Sequence, residues 1–137
     1  MIKLCMLLTA LCAANLGFSK DKANYSAAVT AGDFIYVSGQ YPVDPHTGVM
    51  LDGDIETLTD QVIDNMKHVL KANGADLKDV ISTTVYLTDI RDYSAMDEAY
   101  GQNFKSKYPP TRDVVAVSEL AYNARIEISC IAYKKKH

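Results

Sequence analysis

The chain has 137 residues, 48% of them hydrophobic and 23% charged, which fits one folded domain and excludes a disordered or low-complexity chain. Fourteen Lys and Arg against seventeen Asp and Glu leave a formal charge of −3, a poor match for a nucleic-acid binder, which needs clustered cations for phosphate contacts. Three cysteines cannot all pair within one chain, and no CxxC or HExxH spacing marks a metal site.

The first nineteen residues differ from the rest. Lys3 gives a cationic start, and Leu4 to Leu16 is almost wholly apolar. Gly17-Phe18-Ser19 then places small residues at the −3 and −1 positions of a cut after Ser19. This is the pattern of a secretory signal peptide, and the run falls short of the roughly 20 apolar residues that a membrane span needs. Cleavage would remove Cys5 and Cys12 and leave Cys130 with no internal disulfide partner. Residues 20–137 would then be a single domain, exported to the periplasm or beyond. A retained leader would keep the protein cytoplasmic.

Ala27 to Thr30 and Phe34 to Ser38 flank Ala31-Gly32-Asp33, which reads as a hairpin with glycine in its turn. Tyr41 to Gly48, with two prolines, reads as a loop. Ile55 to Asn73 is the clearest helix. Ile55, Leu58, Val62, Met66, Val69 and Leu70 recur at three- and four-residue steps; Asp54 suits the N-cap and Gly74 the close. Val80 to Thr88 alternates, with Ile81, Thr83, Val85 and Leu87 expected on one face and Ser82, Thr84 and Tyr86 on the other. A second helix is expected from about Tyr93 to Phe104, with Met96, Ala99, Tyr100 and Phe104 inward. Pro109 and Pro110 end any continuation. Val114 to Val117 and Arg125 to Tyr133 read as strands. In the second, Ile126, Ile128, Cys130 and Ala132 share one face, and Arg125, Glu127, Ser129 and Ile131 the other. The order ββαβαββ predicts an α+β fold with two helices on one face of a mixed sheet. Several residues on the other face are apolar, which predicts an oligomer that covers it.

Three stretches carry the candidate chemistry. Glu127 is a carboxylate in an otherwise apolar strand, costly unless paired, and placed to act as a general base. The alternative is an exposed rung paired with Arg125. Arg112 follows two prolines that fix where its guanidinium points, and its planar fork suits a carboxylate; the alternative is a surface Arg at a strand start. Tyr25 and Ser38 supply hydroxyls, and Gly39 permits close backbone approach; packing and turn roles are the alternatives. His46, His68 and His137 show no ligand spacing, and Cys130 sits on an apolar strand face as a core thiol. No G-x-G-x-x-G or Walker loop points to a nucleotide cofactor.

These stretches occur in a characteristic order. Tyr25-Ser26-Ala27-Ala28-Val29 is followed by Ile35-Tyr36-Val37-Ser38-Gly39-Gln40, Asp44-Pro45-His46-Thr47-Gly48 and Thr83-Thr84-Val85-Tyr86-Leu87-Thr88-Asp89. Then come Tyr108-Pro109-Pro110-Thr111-Arg112 and, fifteen positions past the arginine, Glu127 within Ile126-Glu127-Ile128. Over roughly residues 24 to 133 the chain resembles the RidA/YjgF family of enamine/imine deaminases. The resemblance implies a chorismate-mutase-like fold and a barrel-like homotrimer with one small-molecule site in each cleft between subunits. It implies hydrolysis of 2-aminoacrylate, 2-iminopropanoate, 2-iminobutanoate and related 2-imino acids to 2-keto acids and ammonia, with no metal or organic cofactor. The acidic balance predicts no nucleic-acid partner, and no membrane partner is expected. By the same resemblance Arg112 holds the substrate carboxylate and Glu127 activates the attacking water. Tyr25, Ser38, the Gly39 backbone and the Val114 backbone line the site. Val114 stands where many members carry Cys, Asp97 where a helix Asn is common, and Ala23-Asn24 where Gly-Pro is usual. Asp113, beside the arginine, is expected to weaken carboxylate binding. Two other readings are a non-catalytic trimer that binds small carboxylates and an RNA-directed endoribonuclease or translation inhibitor; the acidic balance argues against the last.

Overall fold

A computed structural model describes residues 24–135. The expected leader, residues 1–19, lies outside the described residues. The elements run β1 (Ala28–Ala31), β2 (Phe34–Gln40), α1 (Ile55–Ala72), β3 (Val80–Leu87), α2 (Tyr93–Asn103), β4 (Thr111–Ala116) and β5 (Ile126–Tyr133). This is the expected ββαβαββ order. The strands form one sheet in the order β1-β2-β5-β3-β4. Only β3 and β4 run parallel, joined through α2, as a parallel pair requires a crossover; every other pair is antiparallel.

Local chemistry explains the elements. Gly32, at φ 60, sits in the two-residue turn between Ala31 and Phe34 and adopts a left-handed conformation without a Cβ penalty. Asp54 caps α1 by accepting the Thr57 N–H at 2.8 Å, and Gly74, at φ 80, carries the chain away from the C-terminus of α1. The whole predicted stripe of α1 is buried, and it packs on β2 and β5 with α2 alongside. Ile35, Val37, Ile126, Ile128, Cys130 and Ala132 meet it from the sheet. Burying a side chain such as Ile63, fully inside this layer, contributes about 1.5–3 kcal/mol.

Two expectations need correction. Ile81 is not on the inner face with Thr83: it is 45% exposed, while Val80 is buried. The register between β3 and β5 shifts here, with Val80 opposite Ala132 and Ser82 opposite Ile131, so Ile81 is an extra residue that reverses the alternation. The fourth strand begins at Thr111, not Val114, because Ser82, Thr83 and Thr84 of β3 pair with Thr111, Arg112 and Asp113. Arg112 therefore lies inside the sheet rather than ahead of it.

Helices cover one face of the sheet. The other face is open and carries exposed Val29, Phe34, Tyr36, Val115 and Tyr133. Among the described residues no helix is long and apolar enough to cross a membrane, and no group of three or more His, Cys, Asp or Glu could hold a metal ion.

Candidate functional site

Alternation along β5 buries Ile126 and Ile128 completely under the helices, so Glu127 points to the open face, where Tyr86 of β3 is its register partner. On its other side β2 is irregular: the pairing shifts between Val37 and Gln40. That bulge turns Ser38 and Gly39 toward Glu127. A Cβ on Gly39 would overlap the Glu127 carboxylate, lying 2.6 Å from its Cδ and 2.9 Å from its Cγ. Glycine is thus what lets the carboxylate lie against the strand backbone.

Around Glu127 lies a concave site of about 240 Å³, lined by Tyr25, Ser38, Gly39, Tyr41, Ala121 and Tyr122 with the glutamate itself. The Ser38 hydroxyl donates to the Ser26 carbonyl at 2.7 Å, and the Ser38 N–H donates to the Ala27 carbonyl at 3.0 Å. The hydroxyl proton is therefore committed, and what Ser38 offers a ligand is a lone pair. Tyr25 is 70% exposed and stands at the rim. Burial first, then the charge of Glu127 and side-chain hydrogen bonding with it, push the Tyr41 phenol up to about 12. The phenol is protonated at neutral pH and is the donor. The Tyr122 and Tyr41 rings meet edge to face, centroids 5.8 Å apart. Tyr122 and Asn123 both adopt left-handed backbone conformations, at φ 61 and 55, an uncommon arrangement for side-chain-bearing residues.

Arg112 and Val114 are elsewhere. Arg112 sits opposite buried Thr83, on the helix-covered face of edge strand β4. Its guanidinium donates to Asp97 at 2.7 Å and to the Tyr93 hydroxyl at 3.2 Å, and lies 4.6 Å from the Tyr100 ring centroid. Val114 shares that face. Glu127 lies two strands away, about 10 Å by strand spacing, on the opposite face. Within one chain the two residues cannot act on one small molecule. Asp113 alternates with Arg112 and faces the open side, opposite Thr84, so it does not crowd the guanidinium as expected. The carboxylate beside Arg112 is that of Asp97. Arg125 does not pair with Glu127 either: it donates to Asp92 and to the Gly53 carbonyl.

The structure thus joins Tyr25, Ser38, Gly39 and Glu127 and separates Arg112 and Val114. Sequence reasoning missed Tyr41 and Tyr122. Tyr41 directly follows the strand that carries Ser38 and Gly39, a signal that was available; Tyr122 is remote in sequence and had none. Cys130 is buried, and burial pushes its thiol up to about 12, so no thiolate nucleophile is present there.

The family model described as Endoribonuclease L-PSP matches residues 19–134. A RutC family protein of Pyrococcus horikoshii is 46% identical over 111 residues, which cover 81% of this chain and 87% of that protein. The human 2-iminobutanoate/2-iminopropanoate deaminase is 41% identical over 79% of this chain and 78% of its own length. The crystal structure of Escherichia coli TdcF with bound serine has a TM-score of 0.77 at 32% identity, over 83% of this chain and 91% of that one.

Proposed function

The chain belongs to the RidA/YjgF family, and from that premise we propose that it hydrolyses reactive 2-imino acids and their enamine tautomers to 2-keto acids and ammonia. The observation that carries this reading is the division of labour between the faces. A carboxylate sits in a small site with no cationic side chain in its lining, and the arginine able to hold a substrate carboxylate sits on the opposite face of an edge strand. A second copy laid against the apolar open face would bring its Arg112 and Val114 to the Glu127 site of the first. A closed homotrimer of such contacts has three equivalent sites and leaves no open face. The human relative's name as a 2-iminobutanoate/2-iminopropanoate deaminase, the Arabidopsis thaliana relative's name as a reactive intermediate deaminase, and the serine bound to TdcF support the same substrate class.

In this reading Arg112 of one copy binds the substrate carboxylate through two parallel N–H···O bonds. Water lies between Glu127 and C2 of the iminium. Glu127 accepts a proton from the water as its oxygen bonds to C2, giving a neutral carbinolamine. The protonated Glu127 passes that proton to the amine nitrogen. The C–N bond then breaks with its electron pair on nitrogen, the hydroxyl proton leaves to Glu127, and the carbonyl forms. Ammonia departs and takes up that proton. The Ser38 oxygen accepts from the iminium N–H. The enamine tautomer enters the sequence once C3 is protonated.

The test is a coupled assay in which an amino-acid oxidase generates the imine in situ and keto-acid release is followed. Release above the spontaneous rate is expected; no acceleration across several imino acids overturns the reading. Gly39→Ala is expected to fold, since the atoms it meets end a flexible side chain, but to displace the carboxylate and lower kcat about tenfold or more. Native kcat in Gly39→Ala would remove the role given to this close approach.

The leader belongs with this proposal. The family match starts at residue 19, at the edge of the segment read as a signal peptide. N-terminal sequencing of protein from its native cell is expected to begin at Lys20; a chain beginning at Met1 overturns the export reading.

A further inference from the structure

We propose that Asp97 is an internal competitor for Arg112. Its carboxylate occupies the guanidinium nitrogen on which any two-pronged grip of a substrate carboxylate depends, and so sets how tightly the site takes small carboxylates. The inference rests on the carboxylate-binding role given to Arg112 above and adds the residue that tunes it.

A guanidinium can hold a carboxylate by two parallel bonds along either of two edges, Nε with Nη2 or Nη1 with Nη2. Nη2 belongs to both. Its two hydrogens already have two acceptors, Asp97 Oδ1 at 2.7 Å and the Tyr93 hydroxyl at 3.2 Å. Both acceptors come from α2, where Tyr93, Asp97 and Tyr100 follow at helical spacing and so share the face that meets Arg112. A second carboxylate can therefore take the fork only by displacing Asp97. One that binds through Nη1 or Nε alone forgoes the second bond and sits beside a like charge.

Displacement costs little. The Asp97 side chain is 50% exposed, so water solvates the carboxylate once it leaves, whereas the Arg112 side chain is 19% exposed. Nor does the guanidinium need Asp97 to stay in place. Its carbon lies 4.6 Å from the Tyr100 ring centroid and 5.9 Å from that of Tyr93, and the Tyr100 hydroxyl is tied to Thr83 of β3 at 2.7 Å. These rings hold a cation without using its hydrogens.

Asp97→Asn in the full chain tests this, because it keeps the shape and removes the competing charge. Calorimetric titration with 2-oxobutanoate, an anion of the product class, should show binding about fivefold tighter than in the native chain, the scale of a half-exposed ion pair. Titration with 2-oxobutanamide, which has no carboxylate, should change by less than about twofold. In an Arg112→Ala background the gain from Asp97→Asn should disappear. In the coupled assay KM should fall by about the same factor as the dissociation constant, with kcat within about twofold. Binding of 2-oxobutanoate within about twofold of native overturns the proposal. Weaker binding overturns it too, because Asp97 would then orient the guanidinium rather than compete for it. An equal gain for the amide, or one that survives Arg112→Ala, overturns it as well, since Asp97 would not be acting through the fork. A native protein without imine hydrolysis overturns the deaminase reading alone, and the binding titrations still decide the role of Asp97.

Discussion

Glu127→Gln is expected to fold as the native chain does and to lose imine hydrolysis by a factor of about 10²–10⁴, nearly all of it in kcat. Glutamine keeps the shape and can still accept from Tyr41 through its carbonyl oxygen, so the walls formed by Gly39, Tyr25 and Tyr122 stay in place. What disappears is the one group in the site that can take a proton from water near neutral pH. Neither Ser38, whose proton is given to the Ser26 carbonyl, nor Cys130, a buried thiol on the far face, can replace it. Steady-state kinetics in the coupled assay read this directly. A Gln variant whose kcat stays within about threefold of native would show that Glu127 is not the base.

Arg112→Ala is expected to fail in a different way. Two charge-assisted hydrogen bonds to the substrate carboxylate are worth about 3–5 kcal/mol, so kcat/KM should fall by about 10²–10⁴, with KM taking most of the change. Lysine should restore only part of this, since a point charge cannot reproduce the fork or its stacking on Tyr100. The structural cost should be small. Asp97 loses its partner, but its side chain is 50% exposed and water can solvate it.

The two variants together test the arrangement of the site. If Arg112 of one copy serves Glu127 of another, chains carrying Arg112→Ala and chains carrying Glu127→Gln complement each other. Unfolded together and refolded as an equal mixture, they should recover about a quarter of native activity, because a random assembly pairs an intact arginine with an intact glutamate at about one site in four. Mixing without refolding should recover nothing until subunits exchange. No recovery from a correctly refolded mixture would mean that the two residues do not meet across a subunit boundary, and the site would have to be sought within one chain, where β4 and β5 hold them on opposite faces.

Much of the fold was legible because its signals are local. The α1 stripe repeats at helical spacing for five turns with a cap at its start, and every residue assigned to it is buried. The alternation of β5 is regular from Ile126 to Ala132 and gave the side of the sheet on which Glu127 lies before any pairing was known. Both rest on intervals of two to four residues along the chain, which hydrophobic burial imposes on any sequence that forms these elements.

The departures all arise where pairing partners set the outcome. Ile81 reads as inward by alternation, yet one extra residue opposite β5 turns it outward. Asp113 reads as a neighbour of the arginine, yet adjacent residues in a strand face opposite ways, and the carboxylate that reaches Arg112 comes from α2. Tyr41 reads as the first residue of a loop, yet the bulge in β2 and the tie to Asn65 aim it at Glu127. By itself, then, the sequence determined the elements, their order, their buried faces and the residue types available for chemistry, because these follow from local periodicity and side-chain identity. Only the tertiary structure decided that β5 lies between β2 and β3, that Glu127 meets Gly39 and Tyr41, and that Arg112 faces away from both. Those relations depend on register between segments distant in the chain, where a shift of one residue reverses a face and no local pattern records it.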